Sequence, residues 1–356
     1  MAWRGGLIHK SSPLLLSAFT IFVGMKLSEI GEFGFIERFA HRFEDLLGPN
    51  AMGIGDDCAI LPAGDHDLVI TTDMLVEDIH FIREKMSARD LGHKALAVNL
   101  SDVAAMGARP TGSFLSIAIP SDVPVEYLDE LMEGYHELSA QHQLPLMGGD
   151  TTRSPQKLVL NISVIGTIAK GQARLRSGAQ VGDHLVVTST LGDSAAGLQV
   201  LLNDWQGQAD SDWLLQRHLR PQAHVAQGQW LAQHKSVHAM MDVSDGIASD
   251  LQHILKASKK GAHIDLDQLP LSPQLQAFSR ARKMDAHELA TSGGEDYCLL
   301  LTVAGEQLPK LREAYQKEFG EKLYPIGHIT EAGGLHWQQA GKLLKKAPRG
   351  GFNHFV

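Results

Sequence analysis

The residues best equipped for chemistry in this sequence are carboxylates, and their placement is what stands out. Asp56 and Asp57 lie in GIGDDCA, Asp73 in ITTDMLVED, Asp102 in NLSDVAAMG and Asp150 in MGGDTT. The second half adds Asp242 and Asp245 in MDVSDG, then Glu295 and Asp296 in SGGEDY. These acids sit beside glycines or at the ends of apolar runs. An all-oxygen, aspartate-rich set without clustered Cys or His suits Mg²⁺, Mn²⁺ or Ca²⁺ rather than zinc.

Asp102 is the most informative of them. Leu91, Ala95, Val98 and Asp102 recur at helical spacing, so they share the core-facing stripe of one helix. A lone carboxylate there costs several kcal/mol, about the desolvation penalty of an unpaired ion, unless it is paired or metal-bound. The alternative is a buried Asp capping a neighbouring loop. For Ser244-Asp245-Gly246 the alternative is a plain helix N-cap. Gly148-Gly149-Asp150-Thr151-Thr152 and Ser292-Gly293-Gly294-Glu295 read as glycine turns whose N–H groups could approach phosphate oxygens. Arg176, in RLRSGA, could meet a phosphate or simply be an exposed linker arginine.

The elements that must hold these side chains alternate between strand-like and helix-like runs. Asp67–Thr72 reads as a strand. Ser87 to Asp90 is a capping box opening a helix to about Met106. Thr111–Ile119 is a strand, and Pro124 starts a helix ending near Gln143. Leu144–Met147 and Lys157–Ile168 are further strands. The stretch from Gly171 to Gly182 is the best domain boundary. Beyond it come a strand at His184–Ser189, helices from Ser194 and after Pro221, a strand at Met240–Val243 and a helix near Gly246. Tyr297–Val303 is a strand, and the tail from Tyr324 reads as short strands with turns. This pattern suggests two α+β domains.

Composition narrows the function classes. The 356 residues suggest two domains. Hydrophobic residues make up 44% and charged residues 21%, which excludes wholesale disorder and a polytopic membrane protein. With 41 acids and 32 bases the net charge is −9, a poor match for nucleic acid. Cys58 and Cys298 exclude a disulfide scaffold and a CxxC zinc site, and they fit a reducing cytoplasm. The 18 histidines show no metal-ligand spacing and are expected mostly at the surface. No P-loop, H-R-D loop, H-E-x-x-H or G-x-S-x-G motif occurs. Arg4 and Lys10 precede an apolar run from Leu14 to Val23, too short for the ~20 residues of a membrane span. Residues 1–24 are therefore read as an extension from a mis-assigned start, with Met25 as the first residue, the alternative being a targeting segment.

Taken together, GIGDDCAIL, ITTDMLVEDIHF, KALAVNLSDVAAMGA, LMGGDTTR, RSGAQVGD, DVSDGIASDL, SGGEDY and GFNHF resemble the thiamine-monophosphate kinase family of the PurM-like superfamily. The resemblance runs from about Gly31 to Phe355. It implies an α+β, two-domain fold. Residues 25–170 would form an ATP- and Mg-binding domain with a mixed sheet, which dimerises by joining sheets. Residues 171–356 would form a second α+β domain that completes the cleft. The implied activity is transfer of the γ-phosphoryl of ATP to thiamine monophosphate, giving thiamine diphosphate and ADP. It also implies several Mg²⁺ ions, held by Asp57, Asp73, Asp102, Asp150, Asp242 and Asp245 with Thr71 and Thr72 in support. Nucleotide contacts would fall to Gly149, Asp150, Arg176 and Ser244, and substrate contacts to His80, Glu295 and Phe352. One departure is Met132, where the family often has a nucleotide-contacting Tyr.

The residues agree with that chemistry on physical grounds. A phosphate acceptor is already an anion, so no general base is needed, and an aspartate ring holding cations supplies the charge that an acidic chain lacks. The expected partners are thiamine monophosphate, ATP and a second copy of the chain, with no nucleic acid and no membrane, in the cytoplasm. The rivals are another PurM-like ATP-dependent synthetase, a non-catalytic Mg-nucleotide-binding protein and a metal-dependent phosphohydrolase.

Overall fold

The computed structural model describes residues 27–331, 333–348 and 350–351. Residues 1–26, which contain the N-terminal extension, and Phe352 lie outside the described residues. The first half opens with helix α1 (Leu27–Glu44), broken at Gly31, where φ is 65°. Strands β1 (Ala59–Ala63) and β2 (His66–Val76) follow, then helix α2 (Ala88–Ala105), strand β3 (Arg109–Ile119), helix α3 (Val125–Gln141) and strands β4 (Leu146–Arg153) and β5 (Val159–Ala169). The strands form a mixed sheet in the order β1-β2-β5-β3-β4, antiparallel except for the β3–β4 pair.

The second half begins with β6 (His184–Val187), followed by α4 (Asp193–Leu202), α5 (Ala209–Leu219), α6 (Val225–Ala232) and β7 (Val237–Asp242). Then come α7 (Ile247–Ser258), β8 (Gly261–Asp265), α8 (Pro273–Arg282), α9 (Ala286–Ser292) and β9 (Leu299–Val303). Last are α10 (Leu308–Phe319), β10 (Tyr324–Thr330), β11 (Leu335–Gln339) and β12 (Lys342–Leu343). Their sheet runs β12-β11-β8-β10-β6-β9-β7.

Helix α2 is the structural hub. Ser87 caps it, its hydroxyl accepting from the Asp90 N–H, as the capping box predicts. Leu91, Ala95 and Leu96 are fully buried and Val98 nearly so. The helix touches α3, β2 and β5 in its own half, and α6 and β7 in the other. One continuous core therefore runs from Leu115, Leu160 and Ile162 of the first sheet to Met240, Leu299 and Leu301 of the second.

Close approach of α2 and α3 depends on two glycines. A Cβ on Gly92 would lie 1.9 Å from the Leu131 carbonyl oxygen, and one on Gly134 would lie 1.9 Å from the Arg89 carbonyl oxygen. Gly134→Ala is expected to destabilise the fold by about 1–3 kcal/mol or more through overpacking. Gly48, with nothing within 4 Å of a built Cβ, is the neutral control. Equal unfolding midpoints for the two alanine variants would show that the helices tolerate separation.

One sequence expectation changes here. The Gly148-Gly149-Asp150 turn is instead the interior of β4, an edge strand parallel to β3. Glycine serves close backbone approach here, since a Cβ on Gly149 would lie 1.7 Å from the Leu115 carbonyl oxygen. Among the histidines, His93, His218 and His224 are buried, within an expectation of mostly surface positions.

Candidate active site

Asp57 precedes β1, Asp102 lies on α2 and Asp242 ends β7. One carboxylate oxygen from each lies within 4.8 Å of the other two. Both halves of the chain thus contribute to one cluster. Each acid is held in place by a neighbour. The Thr71 hydroxyl donates to Asp102 at 2.5 Å, and the Ser101 hydroxyl donates to Asp242 at 2.6 Å. Arg176 donates from Nη2 to Asp57 at 2.6 Å, while its backbone N–H donates to Asp56 at 3.1 Å. Asp73 adjoins Asp102, and its N–H donates to the Asn99 side chain at 3.1 Å. Asp245 faces Asp73 and Asp250, and Asp250 accepts from the backbone N–H groups of Asp245 and Gly246.

Strand alternation decides which residues reach this cluster. Thr71 and Asp73 point from β2 towards α2. Thr72, between them, points to the other face, where its hydroxyl bonds Ile162 O and the Asn161 and Ser163 side chains. Asp150 pairs with Ser116, which pairs with Asn161, so its register also puts it on that outer face. Two of the expected metal ligands, Thr72 and Asp150, are therefore not brought to the trio by their side chains.

The electrostatics of the cluster call for a cation. Burial first, then Asp73, Asp242 and Asp57, push the Asp102 carboxyl well above its ordinary range. Burial and Asp57 raise Asp242 to about 7, and burial raises Asp73 to about 6. Burial raises Asp57 too, although Arg176 opposes the shift. Among the described residues Asp57 Oδ2 is buried without a hydrogen-bond partner. An orphaned buried carboxylate oxygen among like charges fits a hard divalent cation bound by oxygen.

This has a testable sign. Asp73 and Asp242 carry folded-state pKa values of about 6 and about 7. Both lie above the unfolded value of about 3.9, so their stabilising contribution is complete below about pH 4 and is lost as pH rises through 6 to 7. Mg²⁺ competes with those protons. The rise in Tm on adding Mg²⁺ to EDTA-treated protein is expected to be larger at about pH 8 than at about pH 5.5. Equal increments by scanning fluorimetry would exclude these carboxylates as the metal site.

Beside the cluster sits a second charged group of residues that the sequence reading only half anticipated. Glu295 accepts from Lys94 at 2.9 Å and lies 3.2 Å from His218 Nδ1. Burial would raise its carboxyl, but Lys94 and His218, with His80 nearby, outweigh that and hold it low. Its N–H donates to the Ser244 carbonyl at 2.7 Å, which ties the SGGEDY loop to the DVSDG loop. Lys94, 1% exposed, was missed, although its position three residues after Leu91 puts a cation on the core-facing stripe, the same signal that marked Asp102. His80 Nδ1 accepts from the Val76 N–H at 3.0 Å.

A cavity of about 400 Å³ is lined by Leu115 and Ile117 of β3, Leu128 and Met132 of α3, and Gly149 and Asp150 of β4, among others. It is an apolar slot with a glycine-acid rim. Met132 therefore lines the same cavity as Gly149.

Comparison with known proteins places the chain in a family. Residues 55–168 match the AIR synthase related protein N-terminal domain, and residues 180–338 match the corresponding C-terminal domain. The chain is 44% identical over 276 residues to the thiamine-monophosphate kinase of Escherichia coli K12, covering 77% of this chain and 82% of the relative. It is 37% identical over 331 residues to that of Haemophilus influenzae, covering 92% and 98%. The solved complex of AaThiL with AMPPCP and TMP superposes with a TM-score of 0.82 at 31% identity, covering 93% of this chain and 99% of that one. The Stenotrophomonas maltophilia thiamine-monophosphate kinase structure gives a TM-score of 0.72 at 38% identity, covering 86% and 96%. With two family domains in order and relatives aligned along most of its length, this chain belongs to the thiamine-monophosphate kinase family.

Proposed function

We propose that this protein phosphorylates thiamine monophosphate with ATP, releasing thiamine diphosphate and ADP. The observation that carries the reading is the convergence of Asp57, Asp102 and Asp242, from both halves, on one point. Asp57, Asp73, Asp102, Asp242 and Asp245, with Thr71, are assigned to Mg²⁺. Bound there, Mg²⁺ supplies the positive charge that lets two phosphorylated reactants approach.

The chain's own residues do the positioning. Arg176 holds Asp57 and Asp56 and is assigned to the nucleotide side, with Ser244. Gly149 and Asp150 are assigned to the nucleotide from the rim of the cavity that Met132 lines. Glu295, kept ionised by Lys94, is matched to the cationic thiazolium of the acceptor, with His80 beside it; Phe352 completes this assignment. An acceptor phosphate oxygen forms the new bond to the γ-phosphorus as the bond to the β,γ-bridging oxygen breaks, and ADP leaves. No side chain serves as an intermediate carrier. Burial raises the thiols of Cys58 and Cys298 far above their ordinary value, so neither is an available nucleophile.

Residues 25–170 are assigned as the nucleotide-binding, dimer-forming unit and 171–356 as the unit completing the cleft. A homodimer accounts for the outer face of the first sheet, where Met74, Phe114 and Leu61 are exposed. Light scattering at micromolar concentration is expected to give twice the chain mass, and a monomer would overturn the assembly. No helix among the described residues is long and apolar enough to cross a membrane; a cytoplasmic location is our assignment. The deciding assay combines ATP, Mg²⁺ and thiamine monophosphate, with chromatographic detection of thiamine diphosphate. ATP turnover without that product would overturn the reading.

A further inference from the structure

The strand register of the second sheet sets four histidines side by side. His184 on β6 is opposite His328 on β10, His328 is opposite His263 on β8, and His263 is opposite His336 on β11. Directly paired residues share a face of a sheet, so the imidazoles form one row across four adjacent strands. The His263 and His328 rings are stacked, with centroids 5.3 Å apart and planes 5° apart. The His336 ring is 5.0 Å from His263. Asp265, two residues after His263 and on the same face, is paired with Gln338. His184, His263, Asp265, His328 and Gln338 line a cavity of about 270 Å³.

Phosphoryl transfer makes no use of this row. The aspartate cluster gathers where β7 ends, and β7 is the edge strand at the opposite end of the sheet from β11 and β12. Nor does packing explain it. The core-facing residues of these strands are Ala262, Ile264, Ile329 and Trp337, one residue out of phase with the histidines. Stacking of neutral rings across the strands adds only modestly to the sheet, and protonated imidazoles directly opposite one another repel. Neutral imidazoles do have a common use, as ligands for borderline divalent metals.

We propose that this row binds a divalent transition-metal ion of the Zn²⁺ class. His263 is the central ligand, flanked by His328 and His336, with Asp265 as the carboxylate. A donor pair at i and i+2 on one strand, with an imidazole directly across on each neighbour, gathers nitrogen and oxygen donors on one patch. The row is open as it stands. Among the described residues only the three aspartates bring donor atoms mutually within 4.8 Å. His328 and His336 are exposed, so their side chains are free to turn towards His263 at little cost in packing. The two sites select different ions: the aspartates offer hard oxygens, the row soft-to-borderline nitrogens.

The test uses the full-length protein with the aspartate site saturated by Mg²⁺, titrated with Zn²⁺ in a calorimeter. One Mg²⁺-resistant equivalent of Zn²⁺ per chain is expected. His263→Asn and His336→Asn should each weaken it by about 10-fold or more, since even second-shell losses cost that much at metal sites. Asp242→Asn should leave it unchanged. If His263→Asn misfolds, the exposed His336→Asn carries the test. Absence of a Mg²⁺-resistant equivalent, or Zn²⁺ affinity indifferent to both histidine variants, or loss of Zn²⁺ binding in Asp242→Asn would overturn the proposal.

Discussion

Free thiamine is expected to be a worse acceptor than its monophosphate by about 10⁴-fold in kcat/KM, the scale on which a polar site rejects an analogue lacking its polar group. Two effects add. First, a neutral hydroxyl must lose a proton to attack, and the carboxylates near the cluster are committed. Asp57 is held by Arg176, Asp102 by Thr71 and Asp242 by Ser101. Second, removing the acceptor phosphate would leave the cations proposed at the aspartate cluster uncompensated. Thiamine monophosphate itself supplies an anionic oxygen and needs no base. Side-by-side initial rates with the two acceptors decide the matter, and comparable efficiencies would overturn the acceptor assignment.

Asp102→Asn is expected to lower kcat by about 10²-fold or more, the scale of losing one electrostatic element of a transition state. The substitution keeps side-chain volume and removes a charge. The fold should not suffer. Asp102 is raised well above its ordinary pKa by burial and by three neighbouring carboxylates, so in metal-free protein its negative charge is a liability. An amide at that position relieves the repulsion and can still accept from the Thr71 hydroxyl. The expected pattern is thus opposed: turnover falls while the Tm of the metal-free protein holds or rises, and the Mg²⁺-dependent gain in Tm shrinks. Near-normal kcat at saturating Mg²⁺ would show that Asp102 is structural. Loss of Tm in EDTA would show that its charge is paired in a way the cluster geometry does not include.

Local information in the chain was enough for several features. The capping box at Ser87 and the apolar stripe of α2 were legible because a helix is set by contacts three and four residues apart, and so was the anomaly of Asp102 on that stripe. The same rule would have found Lys94 had it been applied to both charges on the stripe. Strand-like runs marked most of the first sheet's strands, but the family motif that grouped Thr72 with Thr71 carries no information about faces, and adjacent strand residues point to opposite sides. MGGDTT read as a turn because glycine pairs usually are. That it is a strand follows from the Leu115 carbonyl, which leaves no room for a side chain at Gly149 and lies some thirty residues away in sequence.

The sequence by itself determined the chemical type of this protein: hard oxygen donors in a fixed order of motifs, carried on two α+β halves. Only the tertiary structure decided which acids meet. Asp57, Asp102 and Asp242 come from a loop, a helix and a strand end far apart in the chain, and they converge because α2 is buried between the two sheets. The histidine row has the same origin. Its members are spread from position 184 to 336 with no telling spacing, and they become neighbours through strand order and register alone. Spacing along a chain reports on one helix or one strand, whereas a site assembled across elements depends on pairings that no local pattern encodes.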